Sequence, residues 1–66
     1  MMRGGMKWIR LYYKVPAKRG ARVEYVGADL PRTGVVTGTC GTRLRVRWDG
    51  EKFSSIHHPT RNLRFL

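Results

Sequence analysis

The sequence predicts a small all-β barrel of five or six short strands, with one helical turn before the last strand. Three observations point there. Residues 42–48, TRLRVRW, alternate cleanly: Leu44, Val46 and Trp48 fall on one side and Arg43, Arg45 and Arg47 on the other. Glycines at positions 20, 27, 34, 38, 41 and 50 interrupt every window in which a 3.6-residue period could build a long helix. The turn pairs Cys40-Gly41 and Asp49-Gly50 punctuate the β-branched runs. Short strands leave unpaired edges, and closing the sheet into a small barrel is the usual way to remove them.

Taken in order, residues 1–5 (MMRGG) carry no apolar pattern and are expected to be disordered. Residues 6–16 form an N-terminal strand or arm. Within it Ile9, Leu11, Tyr13 and Val15 share one face, Trp8, Arg10, Tyr12 and Lys14 share the other, and Pro16 closes the run. Two placements fit this pattern: the strand joins the barrel, or it stays free as an arm that seeks a partner chain. Residues 17–66 make the barrel. Its first strand is ARVEYV, and GADLPR is a loop built from turn formers. The two glycines of TGVVTGT suggest a curved or bulged strand. Asp49-Gly50 suggests a type I′ hairpin into EKFSSIHH. Pro59 to Asn62 supplies the helical turn, and LRFL is the final strand. The expected core is Val23, Val35, Leu44, Val46, Trp48, Ile56, Leu63 and Phe65.

A domain of 66 residues buries only about 60% of the surface its unfolded chain exposes, so its stability margin is thin. The single cysteine, Cys40, excludes an internal disulfide, and no Cys/His spacing suggests zinc. No metal or other cofactor is expected, and self-association is one route to the missing stability. No segment approaches the roughly 20 apolar residues that span a bilayer, and no secretory signal pattern is present. The expected setting is cytoplasmic.

Charge is the dominant feature. Lys and Arg number 14 against 4 Asp and Glu, a net charge of +10, and ten of the cations are arginine. Such a chain attracts polyanions, and guanidinium matches phosphate bidentately while also stacking on bases.

KRGARVEYVG followed by RTGVVTG resembles a KOW-type element: a glycine, a valine three residues on, and a second glycine before a β-branched pair. LRVRWDG and HPTRNLRFL are similar to the second half of many SH3-like barrels. Together these stretches cover residues 18–66. The resemblance implies an SH3-like barrel and, because KOW-bearing proteins commonly bind RNA or ribosomes, a nucleic-acid partner. SSIHHPTRNL is also similar to the closing strand of the type II dihydrofolate reductases. Ser55-Ile56-His57-His58 lacks the glutamine and tyrosine of that family's folate-contacting run, so the activity is not carried over.

Two constellations are candidates for binding. Arg43, Arg45 and Arg47 stand about 6.8 Å apart along one strand face, close to the phosphate repeat of an extended single strand. The alternative is a solvated face that discourages edge pairing. Trp8, Arg10, Tyr12 and Lys14 alternate aromatic and cationic groups, the combination that stacks single-stranded bases while neutralising phosphates. The alternative is an aromatic pair in the core with cations snorkelling outward. His57 and His58 are adjacent and point to opposite faces, a poor metal site. The acids Glu24, Asp29, Asp49 and Glu51 form no catalytic pair, and no enzyme is expected. The expected function is nucleic-acid binding of low sequence specificity. The alternative is an interaction or assembly module, of a kind phages and plasmids encode, docking on an acidic protein partner.

Overall fold

A computed structural model describes residues 5–27 and 29–66. One helix precedes a single antiparallel sheet: α1 (Gly5–Tyr13), β1 (Arg22–Tyr25), β2 (Arg32–Cys40), β3 (Arg43–Trp48), β4 (Ser55–His57) and β5 (Leu63–Phe65). The strand order is β4-β3-β2-β1-β5, so β1 to β4 form a meander and β5 returns to pair with β1. The fold is small and mostly β, as the alternation predicts. β4 and β5 are the sheet's edges.

β3 owes its place to its pattern. Leu44 and Val46 are fully buried, Trp48 is nearly so, and Arg43, Arg45 and Arg47 are exposed. β2 is long because its β-branched residues suit the pleat, and its register with β3 shifts between Val36 and Gly38, the bulge its glycines suggested. Gly34 pairs with Trp48. A Cβ there would stand 2.7 Å from the Arg47 carbonyl oxygen and 2.8 Å from Trp48 Cε3, so only glycine lets the indole lie over β2.

Residues 7–15 are not a strand or a free arm. Gly5–Tyr13 is an α-helix seated on the sheet, with Ile9 completely buried in the core and Met6, Trp8 and Tyr13 packed around it. Met6, Ile9 and Tyr13 recur at helical spacing, so the same residues that alternate also make a helical stripe. Both ends are fixed. The Gly5 amide donates to the Gly41 carbonyl at 3.1 Å, tying the first turn to the β2–β3 connection. At the other end Lys14 adopts φ 57° and the Val15 amide donates to the Arg10 carbonyl at 3.3 Å, a Schellman closure followed by Pro16. Residues 1–4 lie outside the described residues.

Three smaller expectations also change. Pro59–Asn62 is a turn rather than a helical turn, with Asn62 at φ 56° and the His58 imidazole Nδ1 accepting from the Thr60 and Arg61 amides, each at 3.1 Å. Asp49-Gly50 is not a type I′ turn. Only Gly50 has positive φ, 88°, and the Glu51 amide donates to the Trp48 carbonyl, which is type II geometry inside a longer loop. In the core Val36 replaces Val35, Ile56 is 49% exposed on the outer face opposite Arg45, and Phe65 is half-buried. Val23, Leu44, Val46, Trp48 and Leu63 are core as expected, joined by Ile9 and Ala17.

Candidate nucleic-acid interface

The sheet sorts its charges by pairing. Arg22 grips Asp49 with two hydrogen bonds, 3.1 and 2.8 Å, and the Thr33 hydroxyl donates to the same carboxylate at 2.6 Å. Those hydrogen bonds from Arg22 and Thr33 hold the Asp49 carboxyl down to about 2. Arg64 donates to Glu24 at 2.6 Å, and Arg32 to Glu51 at 3.1 Å. Three of the four acids are therefore each engaged by one arginine. Among the described residues, Arg43, Arg45 and Arg47 have no carboxylate partner within ion-pair distance. Arg45 Nε donates to the Thr39 carbonyl at 3.3 Å, which orients its stem along the sheet. The stripe is thus a row of three exposed guanidiniums on one strand, of which, among the described residues, Arg47 alone is close enough to a carboxylate, Asp49, to feel its charge.

The aromatic constellation survives in part, by a different route. On a helix, residues four apart share a face, so Trp8 and Tyr12 still meet: their rings stack at 4.6 Å between centroids and 10° between planes. Tyr12 is 65% exposed. Arg10 and Lys14 do not join them. Arg10 Nε donates to the Ala17 carbonyl at 2.9 Å, and Lys14 occupies the left-handed position that closes the helix. Tyr13 packs edge-on against both rings and against His58. Trp8, Tyr12, Tyr13 and Thr42 line one cleft, and Thr42 immediately precedes Arg43. The aromatic stack therefore sits near the β2–β3 connection, on the helix-bearing side of the sheet, while the arginines face the other side.

A second aromatic group went unread in the sequence. Tyr25 ends β1, Arg32 begins β2, Trp48 ends β3 and His57 ends β4, and the four line a cavity of about 260 Å³. Trp48 Nε1 donates to His57 Nε2 at 3.0 Å, with the two rings edge-to-face at 5.0 Å. The Arg32 guanidinium lies over the indole, 5.5 Å from its centroid. Burial, with the Arg32 charge adding to it, pushes the His57 imidazole below its ordinary value. The sequence signal was an aromatic or histidine at the inward end of several strands, legible only once the strands are ordered.

His57 and His58 turn to different partners, the first to Trp48 and the second to Tyr13 and its own turn. Among the described residues no three His, Cys, Asp or Glu side chains converge, and no helix is long and apolar enough to cross a membrane. Comparison with protein-family models, with curated proteins and with solved structures returns no match to this chain.

Proposed function

We propose that this chain is a nucleic-acid-binding domain of low sequence specificity, acting by binding rather than catalysis. One observation carries the reading: Arg43, Arg45 and Arg47 stand exposed along β3 with no carboxylate among the described residues within ion-pair distance, and the Trp8–Tyr12 stack, with Tyr12 exposed, lies near the β2–β3 connection where that strand begins. The arginines take successive phosphates and the stack receives a base. The stacking residue is Tyr12, with Trp8 as its backing ring. Arg10 and Lys14 add field rather than direct contacts. Specificity is low because, among the described residues, the one helix is packed on the core rather than held out to enter a groove. The resemblance of residues 18–66 to SH3-like barrels with a KOW-type element supports the same reading. A cytoplasmic setting accords with the lone thiol of Cys40.

The rival, docking on an acidic protein, loses its strand-adding arm, because residues 5–13 are helix packed on the core. Fluorescence anisotropy with labelled single and double strands across a salt series tests the proposal. With about four to six phosphates engaged, log K against log salt on duplex DNA should slope between roughly −3.5 and −5.5. Absence of binding to every DNA and RNA at low salt would overturn it and leave the acidic partner.

A further inference from the structure

The cavity between Tyr25, Arg32, Trp48 and His57 is not needed to hold phosphates. We propose that it is a base-binding pocket, which takes one unstacked nucleobase of a single strand drawn to this basic domain. The inference rests on the nucleic-acid reading above and adds to it a site for the base itself.

Size is the first argument. At about 260 Å³ the cavity falls just below the range of about 300–1,000 Å³ typical for drug-sized ligands, so it suits a single planar group. The walls are the second. Single-stranded bases are held by stacking on aromatic rings and guanidinium planes, and here three rings and one guanidinium converge. Arg32 is held in place by Glu51 at one side and the indole face at the other.

Hydrogen bonding is the third argument. An indole N–H can only donate, so His57 Nε2 accepts from Trp48 and the proton of the neutral ring resides on Nδ1. That Nδ1–H has no partner among the described residues, and His57 lines the cavity. With the guanidinium it offers donors to the carbonyl or ring-nitrogen acceptors on a base edge.

Charge decides against the other ligand that aromatic cages favour, a methylated lysine or arginine. The cation position over Trp48 is already filled by Arg32, and a +10 chain repels basic peptides. Location agrees as well. Trp48 ends β3, so the pocket lies at the end of the sheet away from the Trp8–Tyr12 cleft, and a base held there does not compete with the Tyr12 ring.

The test compares a short single-stranded DNA with an abasic strand of the same length, by titration anisotropy and by NMR of the assigned Trp48 indole and His57 ring resonances. The proposal expects the base-bearing strand to bind at least tenfold tighter and to move both resonances, while the abasic strand binds without moving them. Tyr25→Leu, which keeps apolar packing beside Trp48, should cut that advantage back to what the Tyr12 ring alone supplies, abolish the movement of the Trp48 and His57 resonances and leave abasic binding unchanged. Equal binding of the two strands with both resonances still would overturn the pocket while leaving the phosphate reading intact. Failure of both strands to bind would remove that reading and the pocket with it. Movement of the two resonances by a trimethyllysine peptide but by neither strand would also overturn it, in favour of a methylated-cation cage. If Tyr25→Leu does not fold, the wild-type comparison decides alone.

Discussion

His57 pairs in the ladder with Leu44, yet its ring meets Trp48, four residues further along the same strand, and accepts the indole N–H at 3.0 Å. In a flat sheet, four residues of strand separate those two positions by about 13 Å. The contact therefore requires the sheet to curl, carrying β4 across toward the end of β3. One hydrogen bond thus joins the curl of the sheet, its largest core side chain and the cavity beside it.

The burial of the same imidazole makes stability depend on pH. The folded protein holds the His57 imidazole below its ordinary value of 6.5, chiefly through burial, with Arg32 adding repulsion. The unfolded chain consequently binds more protons as pH falls through 6.5, so stability must fall with it and level off below the folded value. Asp49 acts in a separate window: its contribution is present above 3.8 and is lost as pH falls toward about 2. Urea midpoints taken above and below pH 6.5 should drop for the wild type. His57→Gln, which keeps an acceptor for Trp48 but does not titrate, should flatten that part of the profile. An unchanged profile would mean His57 is not the group responsible.

Packing around Gly34 and Leu44 gives a stability contrast. Leu44 is fully buried, and Leu44→Ala should cost about 2–4 kcal/mol, enough to unfold so small a domain. Gly34→Ala should be destabilising too, because its methyl would meet backbone and indole rather than a movable side-chain tip. Ile56→Ala, at a half-exposed position, should cost less than about 1 kcal/mol. Thermal melts rank the three. An Ile56→Ala protein less stable than Leu44→Ala would contradict the register of β3 and β4.

The helix offers two opposed substitutions. Ile9 is completely buried, so Ile9→Ala should cost about 2–4 kcal/mol, which a passive tail could not do. Lys14 sits in the left-handed region, where a side chain costs roughly 1–2 kcal/mol and glycine nothing. After glycine's greater unfolded-state entropy is subtracted, Lys14→Gly should stabilise by up to about 1 kcal/mol. Paired melting curves would detect both signs.

What could be read from the sequence follows from how uniquely each segment specified its period. β3 was unambiguous because every inward residue is large and apolar and every outward one is arginine. Val35-Val36 was not, since two adjacent valines satisfy either face and the bulge after Val36 decides between them. Residues 5–15 satisfy two periods at once. The choice falls to tertiary contacts: the seat of Ile9, the Gly5–Gly41 hydrogen bond, and a helix closure that uses Lys14 where glycine is the usual signal. Of the proposed binding residues, the arginine stripe was legible because it lies within one strand. The cavity was not, because its four side chains come from four strands and meet only after the sheet curls.

The stripe and the aromatic stack can be separated by their salt dependence. A phosphate contact releases counterions, so each one lost flattens the plot of log K against log salt by about 0.9 on duplex DNA. Replacing Arg43, Arg45 and Arg47 together by Ser should flatten it by up to about 2.7 units. All three are exposed and lack carboxylate partners, so the melting temperature should hardly move. Tyr12→Ala removes an exposed ring from the stack without opening the core. It should weaken single-strand binding by about 1–3 kcal/mol, spare duplex binding and leave the slope as it was, because stacking releases no counterions. Trp8→Ala is the poorer probe, since Trp8 also packs against the buried cluster. A triple-serine protein that kept the wild-type slope would show that β3 is a solvated face, and that the phosphates are held by other cations.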